Sequence, residues 1–254
     1  MPSIALSCLI LYALAMDISL NNVDQRPRES YLYMMNPIRR KGNGLQRPFH
    51  YRYDSVIFYI IGANILVFLA QQAFGWQGAS WIVNHFAMIP IAVVQLHWFW
   101  TFITYMFVHD GFSHIFFNTF ALFVFGAQVE RQMGSKEFLL FYFLTGALAG
   151  LFSFIVYYFT GAYGVALMGA SGAIFAVQLA YAVFFPNSII YLWGILPLRA
   201  PVMVLGFTAL ELFSSVAGFN NKVAHFTHLA GFGFAWLYFL IRFGINPIHA
   251  WKRK

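Results

Sequence analysis

Six stretches of this chain, at about 55–74, 113–131, 137–159, 171–185, 200–217 and 225–242, are apolar over most of their length. A helix needs roughly 20 apolar residues to cross the hydrocarbon core of a bilayer, so no other feature constrains the fold as much. Inside lipid every backbone N–H and C=O must find a protein partner, which leaves helices and closed β-barrels. No strict alternation of apolar and polar residues runs through these segments. The class is therefore an all-α polytopic membrane protein. Composition agrees: 61% of residues are hydrophobic and 9% are charged, against about 25% charged in a soluble domain. The single cysteine, Cys8, excludes an internal disulfide framework and a cysteine-based metal site.

The net charge of +7 is a topology signal and gives no reason to invoke nucleic acid. Arg26, Arg28, Arg39, Arg40, Lys41, Arg47 and Arg52 precede the first span. Arg131 and Lys136 lie between the second and third, Arg199 between the fourth and fifth, and Arg242, Lys252, Arg253 and Lys254 after the sixth. Fourteen of the fifteen cations thus share one side, and only Lys222 falls on the other. The positive-inside rule then puts both termini in the cytoplasm, with the basic face toward anionic lipid headgroups. The chain divides into a basic cytoplasmic tail at 1–53, a six-helix domain at 54–245 and a short basic tail at 246–254. Residues 3–16 are apolar, too short to span and without the basic leader of a signal peptide. A peripheral segment and an overextended start upstream of Met34 or Met35 are both open readings of them. Between the first two spans, residues 75–112 carry no Lys or Arg and are rich in Trp and Phe (Trp76, Trp81, Trp98, Trp100). That is the composition of a large loop lying in the membrane interface.

Against this apolar background a few polar residues stand out. Ser171 sits in Gly169-Ala-Ser171-Gly172 at the opening of the fourth span, and His228 sits near the start of the sixth. His114 and Asn118, four apart, share a helix face in the second. Each has a plainer reading: small residues for close packing, an interfacial histidine, an asparagine as interhelical glue. Strongly polar groups inside a bilayer are costly, however, and by default point to function. Depth joins them. Counted back from cytoplasmic landmarks at about 1.5 Å per residue, His114 lies roughly 24 Å above Glu130, Ser171 roughly 22 Å above Pro186 and His228 roughly 21 Å above Arg242. All three fall in one layer of a core about 30 Å thick. The stretch from Ser171 to Pro186 is too short for a full crossing, so this helix begins inside the membrane after the Gly-rich approach 161–169. Its start aims unpaired N–H groups and a positive dipole end at the same layer, where an oxyanion would be stabilised.

These residues, in this order and in these spans, resemble the rhomboid family of intramembrane serine proteases. The resemblance covers about 55–242 and rests on His114-x-x-x-Asn118, Gly169-Ala-Ser171-Gly172 and His228-x-x-Gly231, with Gly126, Glu130-Arg131 and Gly134 similar to the family's second-span ending. It implies a six-transmembrane-helix rhomboid fold with a large interfacial loop between helices 1 and 2. It further implies Ser171 as nucleophile and His228 as general base, a dyad without a carboxylate, because serine is a weak nucleophile until a base takes its proton. His114, Asn118 and the Ser171 N–H would form the oxyanion hole, with Gly169, Gly172, Phe175 and Gly231 in support. The implied substrate is a transmembrane protein whose helix is locally unstable and rich in small residues, entering sideways from the lipid bilayer. No cofactor or metal is implied, and a bacterial plasma membrane is the expected home.

Several further positions carry separate expectations. Gly231 and Ala235 present a smooth face that lets span six approach span four; the plainer alternative is ordinary packing, as for Gly146 and Gly150 in span three. Phe175 stands where the family often has tyrosine, and stacks on the base without offering a hydroxyl. The family's Trp-Arg pair in the first loop is Trp100-Thr101 here, so any anchoring by that arginine is absent or made differently. Glu211, roughly 18 Å above Arg199, reads as protonated or partnered in the outer cavity, with a role orienting His228 as the lesser alternative. His225 precedes His228 by one turn, but no carboxylate motif of the His-Glu-x-x-His kind stands beside the pair, so no metal is assigned. Two rival functions remain: an inactive rhomboid relative that binds membrane clients would lack the serine or the histidine, and a transporter would show inverted repeats.

Overall fold

In the computed structural model, Leu45 and residues 48–73, 75–192, 195–216 and 222–252 are described. The apolar segment 3–16 and the start-site alternatives at Met34 and Met35 lie outside them. Helix α1 (Val56–Ala73) is followed by α2 (Gly75–Phe86) and α3 (Pro90–Leu96), then by helical turns over 101–107. Helix α4 (Phe112–Met133) contains five π-helical residues, Leu122–Gly126. Next come α5 (Ser135–Phe159), α6 (Ser171–Phe184), α7 (Ala200–Val216), α8 (Lys222–Tyr238, extended by a π-turn through Phe243) and α9 (Pro247–Trp251). Among the described residues α1, α4, α5 and α8 are long and apolar enough to cross a membrane, while α6 and α7 are shorter apolar helices.

Helix α6 is the centre: every residue from Ser171 to Val183 is buried, and its most extensive contact is with α8, followed by α5. It stops at Phe184 because Pro186 cannot continue it. The chain then turns back through a feature the sequence reading left out, an antiparallel hairpin of β1 (Ile189–Leu192) and β2 (Leu196–Arg199) pairing Ile189 with Arg199 and Leu192 with Leu196. The β-branched and aromatic run Ile189-Ile190-Tyr191 suits an extended strand.

Buried carboxylates fix the lower ends of the helices. Glu130 accepts from the Val56 and Ile57 N–H groups at 2.8 and 3.1 Å, so α4 caps the start of α1, and it accepts from Ser135 Oγ at 2.5 Å. Gly134, at φ +83°, makes the tight joint from α4 to α5, and a methyl group there would press on the Arg52 carbonyl. Glu137 on α5 holds Arg242 Nε at 2.7 Å and Tyr238 Oη at 2.5 Å, tying α5 to α8.

The loop between α1 and α4 is held without the family's arginine. Trp100 Nε1 donates to the His85 carbonyl at 3.0 Å and Thr101 Oγ1 to the Trp98 carbonyl at 2.6 Å. Gln71 at the end of α1 clasps the His109 backbone from both sides. Gly146 and Gly150 leave room on α5 for Met106 and Tyr105, so this pair seats the loop.

Candidate active site

Ser171 is the first residue of α6, and the chain reaches it through Gly169 at φ +109°, a conformation that favours glycine. The Gly169 N–H bonds the Tyr105 carbonyl at 2.9 Å, and Leu167 pairs with Met88, so the approach to the serine is pinned to the connection between α1 and α4. Across from it, α8 presents His228. Ser171 Oγ lies 2.8 Å from His228 Nε2, with both residues buried. The contact depends on how closely two helices approach. A methyl group on Gly231 would lie 2.1 Å from the Gly172 carbonyl oxygen, and one on Gly172 would lie 3.1 Å from both Ala149 Cβ and Thr227 Cγ2. Gly231 thus lies directly against α6, and Ala235, one turn on, is fully buried. Phe175, one turn after Ser171, stacks on the His228 ring at 4.3 Å and an interplanar angle of 5°.

On α4, Asn118 is buried and neither side-chain atom has a partner. A buried unpaired amide is costly, so its N–H₂ is available to a transient acceptor. His114 lies against Gly169, where a methyl group would come within 2.6 Å of Nε2. Its Nδ1 is 2.6 Å from Asp110 Oδ1, a contact foreshadowed by the four-residue spacing but not drawn from the sequence. That hydrogen bond holds the Asp110 carboxyl below its usual range. The neighbouring His109 ring meets His114 edge-on at 4.9 Å; burial first, and the charge of His114 second, push it down to about 3.

Glu211 of α7 is buried, with Oε1 3.0 Å from His228 Nδ1 and Oε2 2.5 Å from His225 Nδ1. The carboxylate missing from the local pattern around His225 therefore comes from another helix. These three are the group among the described residues with donors close enough to hold a metal ion. The same atoms already pair with one another, so an ion would have to break both hydrogen bonds to enter.

A serine hydroxyl thus lies against an imidazole, both buried among apolar helices. A family model described as Rhomboid domain matches residues 96–245. The chain is 30% identical over 167 residues to the rhomboid protease GlpG of Haemophilus influenzae, covering 66% of this chain and 80% of that protein. It is 28% identical over 193 residues to RHOMBOID-like protein 12, mitochondrial, of Arabidopsis thaliana, covering 69% of this chain and 55% of that protein. To the rhomboid protease GluP of Bacillus subtilis it is 33% identical over 135 residues, 52% of this chain but 26% of that longer protein. The chain belongs to the rhomboid family, known as intramembrane serine proteases, and is an integral membrane protein.

Proposed function

We propose that this chain is a serine endopeptidase that hydrolyses peptide bonds in or near transmembrane helices of membrane-protein substrates. The observation that carries the proposal is the 2.8 Å approach of Ser171 Oγ to His228 Nε2 in a buried site. In the proposed reaction Nε2 takes the hydroxyl proton as Oγ attacks the scissile carbonyl. Negative charge then develops on the carbonyl oxygen, where the Asn118 amide, the His114 ring and the Ser171 N–H converge from α4 and α6. His228 next gives its proton to the leaving amine, and water hydrolyses the acyl-serine by the same steps in reverse roles. Gly169, Gly172 and Gly231 allow the approach, and Phe175 holds the plane of the ring.

The setting we propose is six spans, with α6 and α7 completing the four longer helices, the loop 75–112 lying at the outer surface and both termini in the cytoplasm of a bacterial plasma membrane. An inactive client-binding role is disfavoured because the serine and the histidine are both present and paired. The test is cleavage of a panel of single-span reporters in reconstituted vesicles, comparing wild type with Ser171→Ala and His228→Ala. Cleavage that both substitutions abolish supports the proposal. Undiminished cleavage by Ser171→Ala defeats it. Absence of cleavage by every form, together with no labelling of Ser171 by a fluorophosphonate, would transfer the weight to client binding.

A further inference from the structure

A carboxylate buried inside a membrane protein needs strong partners, because desolvating it costs several kcal/mol. Glu211 has two, and both are imidazoles: Oε2 at 2.5 Å from His225 Nδ1 and Oε1 at 3.0 Å from His228 Nδ1. His225 and His228 are three residues apart on α8 and so share one helix face, opposite which α7 places the acid. A carboxylate only accepts hydrogen bonds, so each ring facing it carries its proton on Nδ1. For His228 this tautomer leaves the Nε2 lone pair directed at Ser171 Oγ, 2.8 Å away.

We propose that Glu211 is a positioning residue completing a Ser171–His228–Glu211 relay, and that His225 braces it. This deepens the protease reading above and rests on it. Glu211 selects the tautomer in which Nε2 is the acceptor. When Nε2 takes the serine proton, the new imidazolium faces a fixed anion 3.0 Å from its other nitrogen, in a site where charges interact more strongly than in water. His225 anchors the second carboxylate oxygen, so the acid cannot rotate away from His228. With the Phe175 ring stacked on one face, His228 is then fixed in tautomer, tilt and plane.

The experiment measures kcat and KM on a cleavable single-span reporter in vesicles, with a thermal melt for each variant. Glu211→Gln keeps the shape, but its amide N–H₂ and C=O serve the two rings differently, so one ring must change tautomer. The expected result is a fall in kcat on the order of 10²–10⁴, with KM within about threefold of wild type and the melt unchanged. His225→Asn keeps an N–H donor where Nδ1 stands, whereas His225→Leu removes it. The Leu variant should lose about tenfold in kcat and the Asn variant should recover most of it. Glu211→Gln with wild-type kcat overturns the proposal. If that variant fails to fold, equal wild-type kcat for both His225 variants overturns it instead. Ser171→Ala run alongside separates the two levels: cleavage that survives it defeats the protease reading, while cleavage that it abolishes but Glu211→Gln spares defeats only the relay.

Discussion

Replacing Gly231 by alanine tests whether the helix-to-helix distance sets the chemistry. The added methyl would stand 2.1 Å from the Gly172 carbonyl oxygen, and the next nearest atoms are also backbone, so no side chain can swing aside. A carbon tolerates a carbonyl oxygen at about 3.3 Å, so α8 must retreat from α6 by roughly 1 Å. His228 is one turn away on the same helix. If it moves with the backbone, its 2.8 Å contact with Ser171 opens to about 3.8 Å, beyond hydrogen-bonding range. A misplacement of about 1 Å costs on the order of 100-fold in rate, or about 2.7 kcal/mol of barrier. Overpacking takes a further 1–3 kcal/mol or so from stability. Gly233→Ala is the control, since a methyl there meets nothing within 4 Å on the same helix. Reporter cleavage and the rate of fluorophosphonate labelling of Ser171 should both fall for Gly231→Ala and hold for Gly233→Ala. Equal kcat for the two alanine variants would refute the reasoning.

Asn118→Ala should lower kcat by about 10²–10³ while leaving the melt unchanged or raised, because the amide has no partner in the resting protein; wild-type kcat would remove it from the oxyanion site. His109 is held neutral, about 3 when folded against 6.5 when free, so its contribution is full above pH 6.5 and is lost as pH falls toward 3. At about 1.4 kcal/mol per unit that loss is on the order of 5 kcal/mol, and melts of His109→Phe between pH 7 and 4 should fall less steeply than wild type; parallel slopes would count against it. Glu130→Ala strips the cap from α1 and an acceptor from Ser135. It should lower stability by about 2–4 kcal/mol with kcat of the folded fraction unchanged, whereas an unchanged melt would show that the cap contributes little.

The helices and the site were legible to different degrees, for physical reasons. Lipid forces hydrogen-bonded helices, so the apolar runs placed α1, α4, α5, α6, α7 and α8 within a few residues, and Pro186 marked the end of α6. The hairpin was missed because its residues read equally well as apolar helix flank, and only the antiparallel pairing across the two strands joins them. Asp110 is local to His114, and its four-residue spacing was there to be read.

Counting residues against a bilayer of known thickness is one-dimensional: it placed His114, Ser171 and His228 at one depth but said nothing of the distance between helices. What the sequence alone determined is therefore the membrane class, the helix order and the family the polar residues resemble. The tertiary structure decided which of these groups touch: the 2.8 Å serine–histidine contact, the Gly231–Gly172 approach behind it, and Glu211 set between two histidines from another helix. Lateral packing depends on side chains far apart in the chain, and no periodicity within one helix records which neighbour will face it.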